Sequence, residues 1–141
     1  MTFKHFAQLA GVALLVMAAN VLCTFLYMVV YSYLINPGHD APVYQAHVQI
    51  AAPYCSVVAG IPLMFLAGWW VAGWKGSNPA VTAALVVWAV YALVDFSILV
   101  ASGSIGQIAL LFAASFVTKL VAIYFGAVVR RRGAGLRGAV A

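Results

Sequence analysis

Four long apolar runs decide what this chain folds into, because each is long enough to cross a lipid bilayer as a helix. A hydrocarbon core about 30 Å thick needs about 20 mostly apolar residues per helix. Short breaks, NPGHDAP, KGSNP and SGS, separate the runs and carry the Gly, Pro, Asn and Ser residues that end one helix and begin the next. The predicted helices cover roughly residues 6–35, 43–74, 79–101 and 105–129.

The composition excludes a soluble monomer, since 67% of the residues are hydrophobic and only 6% are charged. Hydrocarbon offers the backbone no hydrogen-bond partner, so runs of this length satisfy their own amides as helices. We therefore predict an all-α membrane protein with a four-transmembrane-helix bundle. It forms a single domain over residues 1–141, with the first run as an uncleaved signal anchor and residues 130–141 as a basic cytoplasmic tail.

The basic residues predict the orientation of the chain in the membrane. Outside the runs they lie before the first helix, between the second and third, and after the fourth: Lys4, Lys75, Arg130, Arg131, Arg132 and Arg137. Basic segments stay on the cytoplasmic side, so both termini and KGSNP are expected to be cytoplasmic, in a bacterial-type inner (plasma) membrane. We interpret RRRGAGLR as a stop-transfer anchor, with an anionic-lipid or nucleic-acid patch as the alternative; nucleic acid is not among the predicted partners.

Two charged residues fall inside the runs, where an unpaired charge is costly. Asp95 is seven residues before Ser102, and Lys119 is eleven residues before Arg130, near the bilayer midplane. The short SGS turn makes their helices antiparallel neighbours. Helical side chains lean toward their own N-terminus, so the two side chains tilt toward each other and a direct or water-bridged pair is expected. The pair either fixes helix register or binds an ion or ligand.

Polar residues also recur at helical spacing, which gives each helix one face suited to the bundle interior. In the first helix Asn20, Thr24, Tyr27 and Tyr31 are separated by four, three and four residues. In the second helix Tyr44, His47 and Tyr54 are separated by three and seven residues, which again places them on one face. The predicted orientation places most of these residues in the outer half of the bilayer and predicts a polar vestibule open to the outside. The candidate ligand- or ion-binding residues are Asp95, Lys119, Asn20, Thr24, Tyr27, Tyr91, His47, Tyr54 and Ser115.

The second helix contains Pro53 and Pro62, each of which removes a backbone donor and frees the carbonyl four residues earlier. A kink is expected at one or both. Broken helices expose carbonyls to ions in transporters, whereas proline kinks also serve as passive packing devices.

Metal binding and catalysis have little support in the sequence. His39, Asp40 and His47 are weak metal-ligand candidates near one end, but they form no HxxxH motif and the chain has no CxxC. The chain has no glutamate and no evident nucleophile with a histidine base, so we predict no metal and no cofactor. Enzymatic chemistry is the less favoured alternative and would have to be built from His39, Asp40, His47, Asp95 and Lys119 alone.

Two classes of function remain. The first is a protein that binds or transports a small solute or ion through an outward-facing vestibule, as an oligomer because four helices leave little wall around a substrate. The second is an accessory or assembly subunit of a larger membrane complex with no transport of its own, whose polar faces are helix-helix contacts. The lipid bilayer is a partner in both.

Overall fold

The computed structural model describes residues 3–74, 80–102 and 105–138, and over these residues it has four α helices. Their bounds are α1 Phe3–Val30, α2 Ala41–Val71, α3 Ala80–Ser102 and α4 Ile105–Gly138, with a π-helical turn Tyr31–Ile35 continuing α1. Four stretches are long and apolar enough to cross a membrane, the first of them formed by α1 together with the π-helical turn: Phe3–Ile35, Ala41–Val71, Ala80–Ala101 and Leu110–Gly133. These helices confirm the predicted all-α, four-helix membrane bundle.

The connection between α1 and α2 is short because its residues suit a tight reversal. The amide of Asn36 donates to the carbonyl of Tyr31 at 2.8 Å, which closes the π turn. Gly38 has φ of +85°, a left-handed conformation that glycine adopts without steric cost. Asp40 occupies the N-cap position of α2, but its side chain makes no capping hydrogen bond.

The helices contact one another in the order α1, α2, α4, α3 around the bundle, and α2 and α4 make the closest approach. Glycines allow it: a Cβ atom on Gly68 would overlap the backbone of Ile123, and one on Gly126 would overlap the backbone of Phe65. Small residues at a helix interface let two backbones come together, which drives association where lipid removes the hydrophobic effect.

One half of the bundle is tightly packed and the other is not. We call the packed part the closed half, defined by its buried apolar core: Leu9, Val12, Ala13, Val16, Met64, Ala67, Val71, Ala83, Ala84, Val87, Ala122, Ile123 and Ala127. The remainder, residues 20–35, 41–60, 91–101 and 110–119, is the open half. Along α1 no residue after Asn20 is buried. The candidate site lies where the two halves meet and extends into the open half.

Two helix features differ from, or go beyond, the sequence prediction. α4 was expected to end near residue 129, but it continues through the basic segment to Gly138. Positive charges near a helix C-terminus interact favourably with the helix dipole and no proline interrupts this segment, so the helix continues in spite of Gly133 and Gly135. α2 is helical through both Pro53 and Pro62; the kink at either proline stays a prediction.

Candidate functional site

Lys119 of α4 is the centre of the site. Its side chain is fully buried, and its ammonium donates to Ser56 Oγ of α2 and to Tyr91 OH of α3, each at 3.0 Å. Asp95 Oδ2, one turn further along α3, is 3.8 Å from Lys119 Nζ. The expected pairing of Asp95 and Lys119 is therefore present in the structure as a direct ion pair at the edge of contact distance.

Asn20 of α1 joins the same two hydroxyl groups from the opposite side. Its Nδ2 donates to Ser56 Oγ at 2.9 Å and to Tyr91 OH at 3.0 Å. The result is a closed ring of four side chains, one from each helix, which we call the polar network: Asn20, Ser56, Tyr91 and Lys119. Because its members come from all four helices, this network holds the bundle together at the boundary between the two halves.

Some hydrogen-bonding groups of the polar network have no partner within it. Each hydroxyl oxygen accepts two N–H bonds, from Lys119 and from Asn20, so its own proton remains to donate. Asn20 is 6% exposed, and its Oδ1 is buried with no hydrogen-bond partner among the described residues. A buried polar atom without a partner costs about 1–3 kcal/mol. If the network served only to fix helix register, a hydrogen-bond partner for Asn20 Oδ1 would make the protein more stable.

The ion pair between Asp95 and Lys119 adds little net stability, because burying the two charges offsets their attraction. Two opposite charges at this separation attract by roughly 4 kcal/mol at an effective dielectric constant near 20. Removing each ion from water costs several kcal/mol, so the attraction and the desolvation approximately cancel. The pair is therefore better explained by its chemistry than by its contribution to folding.

Gly60 of α2 makes room for the lysine. A Cβ atom at this position would overlap Lys119 Cε. Gly60 lies one helical turn after Ser56, so the same face of α2 supplies both the space for the lysine stem and the hydroxyl that accepts from its ammonium.

A cavity of about 600 Å³ begins at the polar network and extends into the open half between α1, α2 and α3. Asn20, Ser56, Tyr91 and Asp95 contribute polar groups to its wall. The rest of the lining is largely apolar: Met17, Val21, Thr24, Phe25, Met28, Tyr44, Gln45, Val48, Ala52 and Ile98. We call this space the central cavity. It combines an apolar body with one polar end.

A second cavity, of about 520 Å³, lies between α1 and α2 and shares no lining residue with the central cavity. Tyr27, His47 and Tyr54 line it, together with Cys23 and Cys55, both of which are free thiols. The polar candidates therefore line two separate cavities, because α1 and α2 direct them to two different sides of their interface. The outward-facing vestibule stays a prediction.

An aromatic stack beside the second cavity holds the connection against α2. The imidazole of His47 stacks on the ring of Tyr31, with centroids 3.7 Å apart and planes 4° from parallel. His47 Nε2 is also 3.2 Å from Tyr27 OH. Tyr54, predicted to face the interior, is 60% exposed and lies on the perimeter.

The remaining candidates are dispersed. Ser115 is buried in α4 but lines none of the described cavities. His39 Nε2 lies 2.8 Å from Asn36 Oδ1, whereas His47 contacts tyrosines. Within the described ranges no three His, Cys, Asp or Glu side chains converge as a metal site would require. The weak metal candidates His39, Asp40 and His47 are thus not brought together.

Ser56 and Gly60 were not predicted from the sequence. The spacing of Tyr44, His47 and Tyr54 predicts the opposite face of α2 as interior, and Ser56 lies two residues beyond Tyr54, about 200° around the helix. A second row of residues on α2, spaced three or four residues apart, could have indicated this face. It contains the polar residues Gln45 and Ser56 and the small residues Ala52 and Gly60, with Val48 between them.

No known protein family, curated protein or solved structure matches this chain. Its class follows from the fold and the site alone. The chain is a small α-helical membrane protein whose four apolar helices surround a buried, lysine-centred polar network.

Proposed function

We propose that this protein binds a small amphipathic solute in the central cavity and, as an oligomer, moves it across the membrane. The observation that supports the proposal best is the meeting of a cavity of about 600 Å³ with the polar network at one end. Ligand pockets span about 300–1,000 Å³ and are mostly apolar, with a few placed polar groups that orient the ligand. The central cavity matches that description in both size and lining.

The chemistry of the polar end favours an uncharged head group on the solute. Asp95 and Lys119 neutralise each other. An ionised ligand would therefore find no counter-charge in this medium of low dielectric constant. Ser56 and Tyr91 each retain a hydroxyl proton to donate. A hydroxyl or carbonyl group on an otherwise apolar molecule is the head group that this end accepts.

The apolar walls indicate how such a solute arrives. Val21, Phe25 and Ile98 line the central cavity and are each more than half exposed, at 63%, 62% and 55%. They lie on the perimeter of α1 and α3, which faces lipid in a membrane-embedded bundle. Entry is therefore lateral, from the acyl-chain region.

The basic residues support an orientation for this site. With both termini and the residue 75–79 segment in the cytoplasm, the closed half lies on the cytoplasmic side and the open half lies toward the outside of an inner membrane. The central cavity then occupies the outer half of the bilayer, above a packed cytoplasmic layer.

The alternative function is an accessory subunit of a larger membrane complex. The exposed apolar wall of the central cavity favours this function, because it would also accept a bulky side chain from a neighbouring helix. In that case the cavity is part of a protein interface, and no solute passes through it.

Native mass spectrometry of the protein extracted into lipid nanodiscs tests the proposal. We expect a homo-oligomer carrying a small molecule, and we expect Asn20→Leu to lose that molecule because the polar network is broken. Gln8→Leu is the matched control, since it makes the same kind of change at an exposed position of α1. A stoichiometric complex with a different protein would support the accessory role, and equal retention of the small molecule by both variants would refute the proposed site.

A further inference from the structure

The end of α4 that carries the arginines packs beside the end of α2 and encloses a third cavity, of about 650 Å³. It lies where two membrane spans, Ala41–Val71 and Leu110–Gly133, come to an end, at the level of lipid head groups. It shares no lining residue with either cavity of the open half. We call it the arginine cavity, and its lining is Trp69, Ala72, Gly73, Val129, Arg130, Arg131 and Gly133.

Arg130 is held in a defined position at this cavity. Its guanidinium carbon lies 4.5 Å from the centroid of the Trp69 ring, within the range of a cation-π contact. Gly73 leaves space on another side, because a Cβ atom there would lie 3.0 Å from Arg130 Nε and 3.1 Å from Nη2. An arginine positioned in this way loses less entropy when it binds an anion than a freely moving one.

The charge on Arg130 has no carboxylate side chain opposite it. The chain has two acidic residues. Asp95 pairs with Lys119, and Asp40 precedes α2 at the far end of that helix. Arg131, exposed beside Arg130 in the same cavity, adds a second positive charge. The negative charge that balances Arg130 and Arg131 must therefore come from a group other than these two aspartates.

We infer that the arginine cavity binds the phosphate of an anionic phospholipid head group. A guanidinium presents two parallel N–H groups that match two phosphate oxygens. Trp69, Ala72 and Val129 give the cavity an apolar side continuous with the membrane spans, which suits the glycerol and upper acyl chains of a lipid. A soluble anion would make no apolar contact with that side, so the lining favours a lipid over free phosphate.

Retention of lipid through purification measures this binding. The protein is extracted from mixed vesicles of phosphatidylglycerol and phosphatidylcholine, washed in mild detergent, and examined by native mass spectrometry. We expect wild type to retain phosphatidylglycerol preferentially and Arg130→Gln to retain it roughly tenfold less, as befits loss of a charge-assisted hydrogen-bonded pair. Arg132→Gln is the matched control: it removes the same charge from a neighbouring position that does not line the cavity, and we expect less than about a twofold change.

Gly73→Ala provides a second variant that changes no charge. It displaces the guanidinium from its position, so we expect it to lower phosphatidylglycerol retention while leaving total positive charge intact. Equal losses in Arg130→Gln and Arg132→Gln would mean diffuse charge attraction and would overturn the assignment. Unchanged retention in both Arg130→Gln and Gly73→Ala would also overturn it. So would thermal stabilisation of the delipidated protein by inorganic phosphate equal to that by phosphatidylglycerol, because the site would then recognise a free anion.

Discussion

The closed and open halves of this bundle are built from the same four helices but meet in different ways. In the closed half, glycine and alanine bring α2 and α4 into backbone contact, and the core is entirely apolar. In the open half two cavities lie between the helices, and the polar network closes the central cavity at the boundary with the closed half. Small residues thus provide the stability of the bundle, and that stability supports a region whose polar groups are not fully satisfied.

The largest effect is expected where the closed half is tightest. Gly126→Ala places a methyl group against the backbone of Phe65, so we expect a loss of at least about 3 kcal/mol in the free energy of unfolding. Gly11→Ala, where no atom lies within 4 Å of the added methyl, is the control and should be neutral or slightly stabilising. Reversible unfolding in bicelles measures both, and equal effects would contradict the close α2–α4 packing.

Breaking the ion pair is expected to have the next largest effect. Lys119→Met leaves Asp95 without its partner, and we expect it to cost roughly 3 kcal/mol of folding free energy. Adding Asp95→Asn should recover at least about 1 kcal/mol, because the carboxylate no longer needs a counter-charge. A double-mutant cycle on unfolding free energies checks this coupling, and strictly additive effects would show that the two residues act independently.

A smaller effect is expected from a single hydroxyl of the polar network. Ser56→Ala removes the acceptor for one N–H of Lys119 and one of Asn20, so stability should fall by about 1–2 kcal/mol. Thr118→Val is the matched control, since among the described residues the Thr118 hydroxyl bonds only to carbonyls of its own helix, those of Ala114 and Ser115. Thermal unfolding compares the two, and a control that loses as much stability as Ser56→Ala would rule out a special role for Ser56.

The smallest effect belongs to the aromatic stack at the connection. Tyr27→Phe removes the contact of its hydroxyl with His47 Nε2 at 3.2 Å but keeps the ring, so we expect a loss of about 0.5 kcal/mol. Tyr33→Phe, at a position 76% exposed, should have no measurable effect. Amide hydrogen exchange in residues 31–44 is the sensitive readout. Unchanged exchange in Tyr27→Phe would show that this hydroxyl does not stabilise the connection.

The sequence predicted the four helices because bilayer thickness dictates run length, which requires no knowledge of packing. It also placed Asp95 near Lys119, since both residues lie on a hairpin whose geometry follows from helical rise. It did not predict Ser56 in the polar network or the division into two cavities. Those depend on how α1 and α2 rotate about their axes, and an almost uniformly apolar helix gives a weak signal for rotation. Gly60 shows the same limit, because its role depends on a side chain from α4.

The most direct test of the central claim is to fill the central cavity without touching the polar network. Ala52 lines that cavity, so Ala52→Phe should displace the bound small molecule from the native mass spectrum while the protein stays folded. Ala46→Phe makes the same change at an exposed position of α2 outside the cavity and should retain the molecule. Loss in Ala52→Phe alone is the predicted result. Full retention of the small molecule by folded Ala52→Phe would contradict the proposal that the open half is a binding site.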